Sequence, residues 1–154
     1  MYTIVDIIDS LVEIEKIAIN FFYEVSDSES GISSFKLVAN ALGKTKKNHI
    51  SFYDNLKDKV KNEKYIDVDM QDYDKISKSI SEFKYSFKPK YNIDVIELIK
   101  FSLNIEKDNI ALLLIIRGIL VKDKAHKYKK NYECLSYIIE DKNKYIVQLE
   151  KLIV

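Results

Sequence analysis

Ile14-Glu15-Lys16, followed by Ile19, returns as Ile105-Glu106-Lys107, followed by Ile110. Each copy lies in the middle of a long amphipathic stretch, so an internal repeat constrains the architecture before any single residue does. In both copies a glutamate stands where the 3.6-residue period asks for a core side chain. The repeat predicts two related helical hairpins, each carrying one inward carboxylate.

The rest of the chain agrees with helices. Three Gly and one Pro in 154 residues leave few turn formers for a sandwich or barrel, while Ile, Leu, Lys and Glu run on without interruption. An all-α fold is expected, as one domain over 1–154 that needs no disulfide or metal to complete its core. Lys and Arg total 25 against 24 Asp and Glu, a net charge of +1, which provides no basic field for a nucleic acid. The longest apolar run, Ile110 to Ile116, stops at Arg117, short of a bilayer span, so no membrane role is expected. The start, Met1-Tyr2-Thr3 with Asp6 and Asp9 behind it, lacks the pattern of a signal peptide, and a cytoplasmic location is expected. Cys134, the single cysteine, reads as an inert structural thiol.

Ile8, Leu11, Glu15, Ala18 and Phe22 form one inward stripe from Ile4 to about Ser26. A loop at 26–31 leads to a second helix, capped by Ser33 or Ser34 and running to about Val60. Its seam reads Phe35, Val38, Leu42, Thr45, His49, Phe52 and Leu56, with Lys46 one position off it. Residues 61–90 form a long crossover with a short helix around Asp72 to Phe83 and Pro89 at its close. Asn92 is the expected cap of the next helix, whose seam runs Val95, Ile99, Ser102, Glu106, Asn109, Leu113, Ile116 and Leu120. The last helix places Tyr128, Leu135, Ile139, Lys142, Tyr145, Leu149 and Leu152 on one stripe. Two hairpins and one long crossover predict the up-down-down-up connectivity of a ferritin-like four-helix bundle.

The segments "IEKIAINFF" and "KKNHISFYDNL" resemble the rubrerythrin-like branch of the ferritin superfamily, which carries an "IEKxxxxFY"-type helix followed by "ExxHxxxxxxL". On that resemblance Glu15 and His49 match metal-ligand positions, and Lys46 replaces the glutamate three residues before His49. "IEKDNIALL" and "KNKYIVQLEKL" repeat the pattern: Glu106 matches a ligand, Lys142 replaces the second glutamate and Tyr145 the second histidine. Di-iron members of this architecture use a Glu from each of two helices and a Glu-x-x-His pair from each of the other two. The resemblance therefore implies that both metal-bridging glutamates have become lysine.

An ammonium at a bridging position repels the cations the site would hold, yet two buried carboxylates still need neutralising. The expectation is a buried polar network of Glu15, Lys46, Glu106 and Lys142, with His49 and Tyr145 as hydrogen-bonding neighbours, in a non-catalytic structural or interaction protein without a cofactor. The alternative keeps Glu15, His49 and Glu106 as ligands of one iron, manganese or zinc ion in a metal-dependent oxidoreductase or iron-handling protein. A small-ligand cavity beside Ser102 and Asn109 is a weaker third reading. A homodimer is the one partnership anticipated, and the sequence names no other protein partner. Scattered tyrosines read as half-buried filler, and His126 and the lysines around it as surface. No phosphate loop or nucleophile motif is present.

Overall fold

The computed structural model describes residues 2–28, 33–61, 67–121 and 129–153. Its five helices are α1 (Ile4–Ser28), α2 (Ser33–Lys61), α3 (Met70–Ser86), α4 (Val95–Val121) and α5 (Lys129–Lys151). Among the described residues the one departure from helix and loop is an isolated bridge between Tyr2 and Val68. Tyr128, His126 and the lysines from 122 to 127 lie outside the described residues, as does the segment 29–32 before α2.

Local chemistry explains the helix starts. Thr3 Oγ1 accepts the Val5 amide while Asp6 reaches back to the Thr3 amide at 2.7 Å, a reciprocal capping box that opens α1. At α4 the cap is Asp94 rather than Asn92. Its carboxylate accepts the Glu97 amide at 2.8 Å, and Asn92 takes the left-handed turn just before it at φ 57. α1 continues through Ser26, so the expected loop begins later than residue 26.

α1 packs chiefly on α2, and α4 on α5. α3 lies within the crossover and packs on α4 and α1. Tyr73, Ile76, Ile80, Phe83 and Phe87 recur at spacings of three and four, and Ile76 and Ile80 are buried. Tyr2 stacks on Tyr73 with ring centroids 3.7 Å apart, and Lys84 reaches Glu13 of α1 at 2.6 Å.

The interior divides in two. One apolar cluster gathers Ile8 and Leu11 of α1, Tyr53 of α2, Leu113 and Ile116 of α4 and Leu135 of α5. The other gathers Phe22, Leu42, Leu98, Ile105 and Leu149 from the same four helices. On every one of these helices the residue between the two clusters is polar and buried: Glu15, Lys46, Glu106 and Lys142. A charged layer thus crosses the middle of an apolar core.

Candidate functional site

The charged layer is a closed ring. Lys142 Nζ donates to Glu15 Oε1 at 2.6 Å and to Glu106 Oε2 at 3.0 Å. Lys46 Nζ lies 3.1 Å from Glu15 Oε2 and also contacts Glu106 Oε1. Each carboxylate gives one oxygen to each ammonium, so charge alternates around the ring and sums to zero. Glu15 and Glu106 are 0% exposed, Lys46 1% and Lys142 2%.

Such burial carries a large desolvation cost, which only close and complete pairing offsets. Burial alone would raise the Glu15 pKa, but Lys142 and then Lys46 outweigh it and hold the carboxyl well below the usual range. Burial also opposes the charge on Lys142, yet Glu15 leads the interactions that hold that pKa above its ordinary value. Burial dominates at Lys46 and, with Lys142 as a like charge nearby, brings its pKa down to about 8 despite Glu15. Both lysines are therefore cationic at neutral pH.

Of the two expected neighbours, His49 lies against the ring with Nδ1 3.7 Å from Glu15 Oε2, beyond ordinary hydrogen-bond length. Burial lowers its pKa, so the imidazole is neutral at pH 7. Tyr145 stands one layer further out. Its ring meets His49 edge-on at 4.9 Å, and its hydroxyl turns toward Ser102 and Thr45 rather than to the four charged groups.

Asn109 and Tyr53 complete the inner contacts. Asn109 donates to Glu15 Oε1 at 3.3 Å, and Tyr53, 1% exposed, places its ring 6.0 Å from Lys142 Nζ. Burial raises the Tyr53 pKa, so its phenol is neutral. The seam that would reveal Tyr53 runs Phe35, Ala39, Leu42, Lys46, His49, Tyr53 and Val60, all buried, with Ala39, Lys46 and Tyr53 each one position beyond Val38, Thr45 and Phe52. Ser102 and Asn109, the expected walls of a cavity, are themselves 0% and 1% exposed.

One ligand atom each from Glu15, His49 and Glu106 lies within 4.8 Å of the others, a spacing that three donors to one cation would need. The lysines do not fit that use. All four carboxylate oxygens face an ammonium, and a cation at this point would meet Lys46 and Lys142 at contact distance. The arrangement suits two ammonium ions in place of metal charge, with no open coordination position between the carboxylates.

Comparison with protein-family models, with curated proteins and with solved structures found no match.

Proposed function

We propose that this chain is a non-catalytic ferritin-like protein of the rubrerythrin-like kind, a four-helix bundle of two hairpins that acts as a structural or interaction protein. The observation that carries this reading is the place of the two ammoniums: each bridges Glu15 and Glu106, where that family would hold bridging carboxylates and irons. A ring saturated by its own lysines has no free donor for a metal and no exposed group for substrate. Its physical effect is to tie four helices to one register, because sliding any helix by a turn would strand a charge in the core.

A homodimer belongs to the same reading. Leu114, Ile115 and Val121 are about half exposed along the outer side of α4, an apolar face that a second copy could cover. Sedimentation equilibrium of the protein and of Ile115→Lys tests this. A dimer that the substitution dissociates supports the pairing, and a monomer at all concentrations refutes it.

The competing reading is a metal-dependent oxidoreductase or iron-handling protein using Glu15, His49 and Glu106, and the 4.8 Å cluster is the observation in its favour. It requires both lysines to withdraw from the carboxylates. Elemental analysis after anaerobic reconstitution with Fe(II), Mn(II) or Zn(II), beside Glu15→Ala and Glu106→Ala, separates the two. Little retained metal with both variants destabilised supports the ion-paired ring; stoichiometric metal lost in both variants supports the metal site.

A further inference from the structure

The second half of α4 is apolar on every side, a pattern that belongs to a helix buried all round. Between Asp108 and Val121 its one charged residue is Arg117. That side chain turns onto α5, where Nη1 donates to Ser136 Oγ at 3.0 Å and the guanidinium lies over the Tyr132 ring. The outward face is left to Ala111, Leu114, Ile115, Gly118 and Val121, all exposed. Its sequence is palindromic: small, large, large and small residues at 111, 114, 115 and 118, symmetric about the midpoint between Leu114 and Ile115. An antiparallel copy of the same face meets such a pattern in register. Gly118 points the same way, because glycine weakens a helix interior unless something approaches the backbone closely. At Gly43 that something is the Tyr23 ring, 3.1 Å from where a Cβ would stand, but at Gly118 nothing among the described residues lies within 4 Å.

From these features we infer that the outer face of α4 packs antiparallel on α4 of a second copy, about a two-fold axis between Leu114 and Ile115. The inference rests on the homodimer proposed above and fixes its register. Ala111 of one copy sits against Gly118 of the partner subunit, so the two backbones cross closely there. Ile115 lines the groove between α3 and α4 and meets its own counterpart on that side of the crossing, while Leu114 meets its counterpart on the other. Charge complementarity closes the ends. Asp108 lines the same groove on the α3 side. The short connection 87–94 makes α3 antiparallel to α4, so Lys75, one turn before Ser79 of the groove, lies toward the Val121 end. The two-fold axis carries Asp108 of the partner subunit to that end, opposite Lys75, and the pair occurs twice. Nearby Glu82 and Lys107 are engaged with Lys78 and Glu150. Asp108 and Lys75 have no ion pair among the described residues of their own chain.

Sedimentation equilibrium and disulfide trapping of the full chain test the register. Gly118→Leu fits the single chain, which leaves that space open, but fills the crossing point. It should weaken the dimer at least tenfold while circular dichroism shows the helices retained. Asp108→Lys should weaken it about tenfold, and adding Lys75→Asp should restore it. Leu114→Cys should oxidise to a disulfide dimer. Ala111→Cys should not, because its two copies lie seven residues, about 10 Å, apart along the crossing. The native Cys134 is buried, with its thiol pushed up to about 12, and stays out of the exchange. A monomer at all concentrations would overturn the homodimer and its register together. A dimer that tolerates Gly118→Leu, a disulfide formed by Ala111→Cys, or a double charge variant no tighter than Asp108→Lys would overturn the register alone.

Discussion

Lys142 Nζ lies 2.6 Å from Glu15 Oε1, although 127 positions of chain separate the two residues. The contact joins α5 to α1 through a core that excludes water, and Glu106 and Lys46 close it into a ring. Neither ion is tolerable there alone. The stability of the fold is therefore tied to the completeness of the ring rather than to the strength of any one pair.

Removing one member should cost more than removing a balanced pair. Glu106→Ala leaves two buried ammoniums on one carboxylate and should lose about 3–5 kcal/mol. Glu106→Leu combined with Lys142→Met restores neutrality with apolar groups of similar size and should recover much of that loss. Urea denaturation of Glu106→Leu, Lys142→Met and the double gives the coupling energy. Additive losses would show that the four groups do not act as a unit.

Acid should weaken the fold in two stages. The folded-state pKa of His49 is below its ordinary 6.5, so the unfolded chain binds that proton first and stability falls as the pH drops below 6.5. Glu15 is depressed below its ordinary 4.5, so its contribution is complete above that value and is lost as pH falls further toward its folded pKa. Thermal melts of the protein and of His49→Gln should converge on acidification from pH 7 to about 5 as the histidine's own penalty grows. A constant gap between the two melting curves across that window would contradict the assignment.

Tyr53 and Tyr145 should differ. The Tyr53 hydroxyl is enclosed beside Lys142 without a hydrogen-bond partner among the described residues, so Tyr53→Phe, which keeps the ring, should leave stability unchanged or slightly higher. Tyr145 is half-buried and turns its hydroxyl toward Ser102 and Thr45, and Tyr145→Phe should cost about 1 kcal/mol. Chemical denaturation of the two variants distinguishes an inner from an outer neighbour.

The glutamates are the legible part of this site, because Glu15 and Glu106 fall within otherwise apolar stripes that a 3.6-residue period detects. Lys46 is harder to place. Ala39 is small, Lys46 charged and Tyr53 amphipathic, so the true seam of α2 carries a weaker hydrophobic signal than the neighbouring positions Val38, Phe52 and Leu56. The same difficulty affects α5, where Leu152 continues the expected stripe but is 60% exposed beyond the last core turn. α3 is longer than its charged composition suggests, since Tyr73, Ile76, Ile80 and Phe83, spaced three and four apart, suffice to seat its 17 residues. Asp94 outcompetes Asn92 as a cap because the chain must first turn through a left-handed residue, and Asn accepts that conformation.

α3 should contribute stability without touching the ring. Ile80→Ala removes a 4% exposed side chain and should cost about 2–5 kcal/mol, leaving the lysine environments unchanged. Denaturation paired with side-chain NMR tests both halves. A shift of Lys46 or Lys142 resonances would mean that the crossover helix supports the ring directly.

Nitrogen-15 NMR of the lysine side chains near neutral pH tests the closed ring most directly. The structure predicts slowly exchanging ammonium signals for Lys46 and Lys142, assigned by their disappearance in Lys46→Met and Lys142→Met, with hydrogen-bond couplings from Lys142 to the carboxyl carbons of both Glu15 and Glu106. Signals in fast exchange with water, or a coupling from Lys142 to one glutamate alone, would contradict it.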